Sequence, residues 1–139
     1  MIFAPRIDPA EHLARQRLAD LFIDTLPYNA HTTASDALWV GLPVLTLLGD
    51  TFSGRVAASL LNAIDLPELV THSPEEYEAL AIELGKNPEK LHSIKQKLTK
   101  NRLTTPLFDI DSFARDIERI YQNMRQRYQG NLTPVTFAA

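Results

Sequence analysis

The stretch NAHTTASDALWVGLP, residues 29–43, decides the fold together with the apolar runs on either side of it, residues 21–23 and 44–48. Unbroken apolar runs of this kind are typical of strands buried on both faces, as in a parallel sheet covered by helices. The polar start of the stretch and its apolar end predict a loop that turns into a short helix over residues 32–40. A strand, a helix and a second strand in this order predict two parallel strands joined by a crossover helix.

Both ends of this helix carry signals of their own. Thr32 or Thr33 is the predicted N-cap, because a hydroxyl accepts a hydrogen bond from a free N–H group of the first turn. Gly41 predicts the C-terminal end, and Pro43 prevents the helix from continuing. The first turn of such a helix has unpaired N–H groups and the positive end of the helix dipole, which suit a phosphate.

The same alternation of strands and helices extends through most of the chain. The pattern predicts strands at residues 2–4, 20–24, 43–48 and 69–70, and further helices that begin near Pro9, Val56, Pro74, Pro88 and Asp111. Ser53 and Ser73 are the predicted N-caps of the helices that follow them. We therefore expect an α/β fold with about four parallel strands, helices on both faces and extra helices at the C-terminal end. Residues 1–130 would form this domain, and residues 131–139 a loose tail.

The composition excludes several classes of protein. The chain has 139 residues, a formal net charge of −3 and no cysteine. The lack of cysteine excludes disulfides, thiolate metal sites and a cysteine nucleophile, and the net negative charge provides no electrostatic footprint for nucleic acid or an anionic membrane. No apolar run approaches the ~18 residues of a membrane-spanning helix, and the N-terminal residues do not resemble a signal peptide. We therefore expect a cytoplasmic protein that binds neither nucleic acid nor a membrane.

The polar turns point to a ligand site. Ligands of doubly wound sheets bind outside the carboxyl ends of the strands, where the turns at residues 25–33, 49–54 and 71–73 are predicted to lie. The chain has no Gly-x-Gly-x-x-Gly and no Walker-type lysine loop. The helix at residues 32–40 offers another solution, since its N–H groups and threonine hydroxyls can hold a diphosphate, and Asp36 can accept from both hydroxyls of a ribose. Taken alone, this local pattern favours an ordinary capped helix with an acid in its first turn.

The histidines outside this stretch give weaker signals. His12 lies on the first predicted helix, where a lone histidine is usually a surface or boundary residue. His72 and His92 have no partners at the spacing of metal ligands, so we predict no metal site.

Two long motifs carry a resemblance to a known family. They are His31-Thr32-Thr33-x-x-Asp36-x-Leu38-Trp39-x-Gly41-x-Pro43 and Gly49-x-Thr51-x-x-x-Arg55-Val56-Ala57-Ala58-Ser59. Shorter ones accompany them: Phe3-Ala4-Pro5, Glu11-His12 with Arg15, Leu18-Ala19-Asp20, Asp24-Thr25, Ser73-x-x-Glu76-Tyr77 and Pro106-Leu107-Phe108. With these motifs, residues 2–128 resemble the C-terminal lobe of the O-linked N-acetylglucosamine transferases. The resemblance extends above all to bacterial homologues with tetratricopeptide repeats, and to SPINDLY-like protein glycosyltransferases.

The resemblance implies a fold and a donor substrate. The fold would be the Rossmann-like C-terminal half of a GT-B glycosyltransferase, which binds the nucleotide of UDP-N-acetylglucosamine (UDP-GlcNAc) and has no separate cofactor. In that family the diphosphate is held by residues that match His31, Thr32 and Thr33 here. The ribose hydroxyls are bound by the residue that matches Asp36.

The resemblance also implies where the uracil lies. The residue that matches His12 packs on the base, with the match of Arg15 nearby. The backbone at the position of Ile7 reads the edge of the base. These assignments rest on the family pattern, and no catalytic residue of the family has a match in this chain.

The family implies further parts that this sequence lacks, namely the N-terminal lobe, the repeats, and the first strands of the C-terminal lobe with a phosphate-binding lysine. We therefore expect a truncated lobe that binds the donor but does not transfer sugar alone, because transition-state charge is stabilised from both sides of the cleft. The full-length enzyme would act on a protein acceptor. The alternative is a non-catalytic nucleotide-binding or interaction module with the same fold.

Such a truncated lobe would leave two surfaces uncovered. One is the edge of the sheet near residues 2–4 and 21–23, and the other is the apolar stripe of the last helix, residues 113–128. Either surface could pair with a second copy, so a homodimer is a further expectation.

Overall fold

The computed structural model describes residues 3–136. The chain divides into two compact units, with the boundary after Leu107, and each is described by itself. The first unit contains a parallel sheet of three strands in the order β1 (Phe22–Ile23), β2 (Val44–Leu47) and β3 (Val70–Thr71). The predicted α/β architecture with a parallel sheet is confirmed.

The helices alternate with these strands as the sequence predicts. They are α1 (Pro9–Gln16), α2 (Thr32–Val40), α3 (Val56–Ala63), α4 (Pro74–Lys86), α5 (Pro88–Asn101) and α6 (Ile110–Gln129), with short 3-10 turns at Pro67–Leu69 and Pro106–Phe108. Helix α2 has the predicted bounds and ends at Gly41, whose φ of 89° lies in the left-handed region that glycine tolerates. The predicted stop at Gly41 is therefore confirmed.

The register of the sheet brings the polar turns to one edge. Phe22 lies opposite Val44, and Thr46 lies opposite Val70. Because all three strands are parallel, the loops that follow them leave the sheet at the same edge. The loops after β1, β2 and β3 therefore surround the carboxyl ends of the strands, where ligands of such sheets bind.

The predicted strand at residues 2–4 is not found. Ile2 lies outside the described residues, and neither Phe3 nor Ala4 belongs to a strand. Phe3 is 85% exposed, so pairing with the sheet does not bury it, and Pro5 has no N–H group with which to extend a ladder. Within residues 3–136 the sheet therefore has three strands instead of the expected four, and β1 forms its edge there, with Ile23 50% exposed.

One of the predicted serine caps is confirmed and one is wrong. Ser73 caps α4, because its hydroxyl oxygen accepts a hydrogen bond from the N–H group of Glu76 at 3.1 Å, and the Glu76 carboxylate accepts from the N–H group of His72 at 2.8 Å. Ser53 does not cap α3. Arg55 occupies the N-cap position without a side-chain hydrogen bond, because a turn separates the serine from the start of the helix.

The core of the first unit surrounds the central strand. The consecutive residues Val44 and Leu45 are both fully buried, so β2 is covered on both faces as its apolar sequence predicts. Its cover comes mainly from helices α2, α3 and α4, which pack against the strand. Fully buried side chains of this core include Ala34, Ala37, Leu38, Leu61, Ile64, Leu66, Leu69 and Leu98.

The second unit consists of α6 and the segment that follows it. Residues 131–136 turn back along the helix, and the Arg127 guanidinium donates a 2.6 Å hydrogen bond to the carbonyl oxygen of Thr133. Between them lies an apolar cavity of about 560 Å³, lined by residues that include Ile120, Met124 and Tyr128. Part of the predicted apolar stripe of the last helix therefore lines a cavity in this unit, whereas Phe113 and Tyr121 of the same stripe are exposed.

Candidate functional site

The loops after β1 and β2 are packed together at the carboxyl edge of the sheet. The N–H group of Asn29 donates to the carbonyl oxygen of Ser53 at 3.0 Å, which joins the two loops. Within the loop after β2, the N–H group of Gly49 donates to the carbonyl oxygen of Gly54 at 2.7 Å. A Cβ atom on Gly54 would lie 3.2 Å from the Cα atom of Gly49 and 3.3 Å from the carbonyl oxygen of Pro27. A side chain at Gly54 would therefore require the neighbouring backbone to shift.

Asp24 lies at the base of the loop after β1. It is 4% exposed, and its Oδ1 atom accepts hydrogen bonds from the N–H groups of Thr25 at 2.8 Å and Ala30 at 2.7 Å. Its Oδ2 atom accepts from the hydroxyl of Thr46 at 2.7 Å. A buried carboxylate is tolerated only when donors compensate for lost hydration, and three donors do so here.

Two further hydroxyls donate to backbone carbonyl oxygens close to Asp24 in the fold. The phenol of Tyr77, on α4, donates a 2.6 Å hydrogen bond to the backbone carbonyl oxygen of Asp24. Burial raises the pKa of the Tyr77 phenol, and the negative charge of Asp24 raises it further. The hydroxyl of Thr71 remains within the sheet, where it donates to the carbonyl oxygen of Thr46 at 2.9 Å. The loop after β1 is thus fixed to both the central strand and α4.

The N-cap of α2 is not one of the predicted threonines, although the helix has the predicted bounds. His31 occupies the N-cap position, without a side-chain capping bond, and its carbonyl oxygen accepts from the N–H groups of Ala34 and Ser35, each at 3.1 Å. Thr32 and Thr33 are the first helical residues instead of the cap, and both are exposed. Within residues 3–136, neither their N–H groups nor their hydroxyls have a hydrogen-bond partner. The first turn of α2 therefore presents four donors toward solvent.

The side chain of His31 is held between two aromatic rings. It stacks on Tyr28 with ring centroids 5.0 Å apart, and the ring of Phe52 meets it edge-on at 6.0 Å. Its Nε2 atom is buried without a partner in the described chain, as is the Oδ1 atom of Asn29, a residue that is 1% exposed. An unsatisfied buried polar group costs about 1–3 kcal/mol, which a hydrogen-bonding ligand at this place would recover.

Asp36 lies on α2, one turn beyond the exposed threonines. Its side chain is half-buried, and its carboxylate has no hydrogen-bond partner within the part of the chain that the structure describes. One helical turn rises about 5.4 Å, roughly the separation between a diphosphate and the hydroxyls of its ribose. The carboxylate is therefore free to accept hydrogen bonds from a ligand.

His12 and Arg15 are in contact on α1, which packs against α2. One Arg15 nitrogen lies 3.0 Å from Nδ1 of His12, and the Gln16 amide lies 2.9 Å from Nε2. A neutral imidazole has one donor and one acceptor nitrogen. Since Arg15 can only donate, we assign the proton to Nε2 and the amide oxygen of Gln16 as its acceptor.

The segment before α1 is tied to the same pair. Arg15 donates a 2.7 Å hydrogen bond to the carbonyl oxygen of Pro5, and Ile7 is half-buried beside the start of α1. Both nitrogens of His12 have a polar neighbour, which fixes the orientation of the half-buried ring. The structure thus places His12 and Arg15 together on α1, which packs against α2, and Ile7 lies two residues before this helix.

Asp24 and Asn29 are two polar residues to which the sequence alone assigned no role. The available signal for Asp24 was its place directly after an apolar strand, but its partners Thr46 and Tyr77 are distant in sequence.

Within residues 3–136, no cluster of His, Asp and Glu side chains could hold a metal ion. No helix in that range is both long and apolar enough to cross a membrane.

Comparisons with known proteins show the family to which this chain belongs. Residues 1–117 match the model of the family described as Glycosyl transferase family 41. The chain is 34% identical over 132 residues to the UDP-N-acetylglucosamine–peptide N-acetylglucosaminyltransferase of Caenorhabditis elegans. It is 40% identical over 125 residues to the probable enzyme of the same name, SEC, from Arabidopsis thaliana. These matches cover 95% and 89% of this chain but only 12% and 13% of the two relatives.

A solved structure also matches. A mutant of the Thermobaculum terrenum O-GlcNAc transferase superposes with a TM-score of 0.80 and 36% sequence identity, over 85% of this chain and 23% of that one. This match confirms the predicted fold class, a Rossmann-like half of a GT-B glycosyltransferase, with three strands in place of four.

Proposed function

The chain belongs to glycosyl transferase family 41, and on this premise we propose that its first unit binds the nucleotide of a UDP-sugar donor. The observation that carries the proposal is the first turn of α2. There, the N–H groups and hydroxyls of Thr32 and Thr33 have no partner in the described chain and lie at the carboxyl edge of a parallel sheet.

The diphosphate would bind at this turn. Unpaired N–H groups point away from the start of a helix, and the helix dipole places partial positive charge there, which together favour an anion by about 0.3–2 kcal/mol. The threonine hydroxyls add donors at the same place. His31 contributes a buried, unpaired Nε2 atom in the residue just before them, so the phosphates would meet donors from three consecutive residues.

The nucleoside would extend from this turn toward α1. The Asp36 carboxylate would accept from both ribose hydroxyls, which an acceptor-only group with two oxygens does well. The face of His12 would stack on the uracil, with Arg15 holding the imidazole from its edge. The backbone at Ile7 would read the edge of the base.

The donor sugar and the acceptor follow from the relatives. The names of two relatives specify UDP-N-acetylglucosamine as the donor and a peptide as the acceptor. We extend both to the whole protein of which this domain is part, with no separate cofactor and a cytoplasmic location. The chain alone would bind the donor without transferring the sugar, since charge stabilisation from both sides of the cleft is needed for catalysis.

Calorimetric titration tests the proposal and separates it from an interaction module that binds no nucleotide. The wild-type chain should bind UDP, and it should bind 2′-deoxy-UDP more weakly because Asp36 loses one ribose hydroxyl. Asp36→Ala should remove that difference between the two ligands. Ser35→Ala, at the neighbouring half-buried position of the same helix, is the matched control and should keep it. No binding of UDP at millimolar concentration would contradict the proposal.

A further inference from the structure

The buried carboxylate of Asp24 joins the two ends of the loop that leads into α2. Two weaker braces lie within the loop, where the Asn29 amide donates to the carbonyl oxygen of Thr25 at 3.2 Å and the Thr25 hydroxyl donates to that of Tyr28 at 2.6 Å. Oδ1 of Asp24 accepts from the N–H group of the next residue, Thr25, and from that of Ala30. Ala30 immediately precedes His31, the N-cap of α2. The carboxylate thus joins the two ends of the loop and fixes the backbone just before the turn at which the diphosphate would bind.

The same carboxylate connects this loop to the sheet. Oδ2 accepts from the hydroxyl of Thr46 on the central strand. A carboxylate is suited to this position because its two oxygens accept from two directions at once, whereas an amide has only one acceptor oxygen. No other side chain in the described part of the loop links its end to the central strand.

The charge of Asp24 indicates that its role is geometric. A negative side chain beneath an anion site opposes the anion by Coulomb repulsion. It also lies buried at 4% exposure, with its oxygens directed to three protein donors. It therefore does not contact the ligand, and its effect on binding must act through the position of α2.

We propose that Asp24 is the positioning residue of the diphosphate site, which sets the first turn of α2 against the phosphates. This inference rests on the proposed function. It predicts an effect on phosphate binding that exceeds the effect on nucleoside binding, because the phosphates meet the first turn of α2 directly, whereas Asp36 is the single proposed nucleoside contact on that helix. A residue that merely stabilises the fold would weaken both equally.

The test compares UDP with uridine in folded variants of the 139-residue chain. Asp24→Ala should lower the affinity for UDP at least about tenfold while changing that for uridine less than about threefold. Asp24→Asn retains an acceptor toward Thr25 and Ala30, and should restore most of the UDP affinity. Far-UV circular dichroism identifies the temperature at which each variant is folded.

A matched pair covers the case in which Asp24→Ala does not fold. Thr46→Val and Thr71→Val each remove one buried hydroxyl from adjacent strands, but only Thr46 contacts Asp24. Thr46→Val should weaken UDP binding and Thr71→Val should not. If the wild type binds UDP and Asp24→Ala or Thr46→Val binds it equally well, or loses UDP and uridine in parallel, the inference is wrong. If the wild type binds no UDP, the proposed function fails and this role falls with it.

Discussion

The hydroxyl of Thr46 lies 2.7 Å from Oδ2 of Asp24, so a residue of the central strand donates to the carboxylate that directly follows the edge strand. Both residues are buried. Since Oδ1 of the same carboxylate holds the loop before α2, the position of the candidate binding turn is coupled to the middle of the sheet. The same hydrogen-bonded carboxylate of Asp24 therefore contributes to the stability of the fold and to the position of the candidate binding turn.

Removal of the Thr46 hydroxyl should destabilise the fold more than removal of the Thr71 hydroxyl. Thr46→Val leaves a buried carboxylate oxygen without its donor, which costs about 1–3 kcal/mol. Thr71→Val removes a donor only from a backbone carbonyl oxygen, for which about 0.5–1.5 kcal/mol is expected. Urea denaturation of the two variants measures the difference, and equal losses would show that Oδ2 of Asp24 finds another donor.

Alanine substitutions at Gly54 and Gly85 should change the free energy of unfolding in opposite directions. Gly54→Ala places a Cβ atom 3.2 Å from the Cα atom of Gly49 and 3.3 Å from the oxygen of Pro27. Backbone must shift to relieve this contact, at a cost of about 1–3 kcal/mol. Gly85→Ala is the control, because nothing lies within 4 Å of its Cβ position in α4. There, alanine should add about 0.5–1 kcal/mol to helix stability.

Thermal or urea unfolding of both glycine variants provides the measurement. A tolerated Gly54→Ala would mean that the loops after β1 and β2 are not in close contact. Gly54→Ala should also weaken UDP binding along with stability, because its Cβ atom would press on Pro27 in the loop that leads to α2.

The two serine positions offer a third comparison. Ser73→Ala removes the hydrogen bond that caps α4 and should cost about 1 kcal/mol. Ser53→Ala should cost less than about 0.5 kcal/mol, because Ser53 does not cap a helix and its hydroxyl bonds only to that of Thr51. Chemical denaturation under the same conditions distinguishes them. A larger loss at Ser53 would contradict the cap assignment.

The raised pKa of Tyr77 makes part of the stability pH-dependent. A phenol whose pKa is raised on folding stabilises the fold while it is protonated, so its contribution is present below the ordinary value of 10.0. It is lost as the pH rises through the folded-state pKa. The stability of the wild type should thus fall more between about pH 8 and about pH 11 than that of Tyr77→Phe.

Unfolding in urea at those two values measures this difference, and the Phe variant serves as the control for all other groups that titrate. Parallel losses in the two proteins would show that Tyr77 does not keep its hydrogen bond to Asp24.

Local signals in the sequence predicted most of the elements correctly. Ser73 followed by Pro74, and Gly41 after an apolar helix, fix the ends of α4 and α2 through interactions between neighbouring residues. The apolar residues of β2 predicted burial on both faces, which is what the structure shows. These features depend on residues a few positions apart, so periodicity and cap chemistry are sufficient to find them.

The remaining features depend on distant partners. Asp24 bonds to Thr46, 22 residues away, and its carbonyl oxygen to Tyr77, 53 residues away, so a linear pattern cannot assign its role. The predicted N-cap of α2 was Thr32 or Thr33, but the observed one is His31. The ring of His31 lies between Tyr28 and Phe52. The roles of His12, Arg15, Ile7 and Asp36 in binding remain predictions.

The most direct measurement of the central claim is an NMR titration of the ¹⁵N-labelled chain with UDP. The amide signals of His31, Thr32 and Thr33 should shift most, with smaller shifts around His12 and Asp36, and the saturating changes should require the phosphates. If UDP shifts none of these signals, or shifts mainly those of residues that line the cavity beside α6, a nucleotide site at the first turn of α2 would be contradicted.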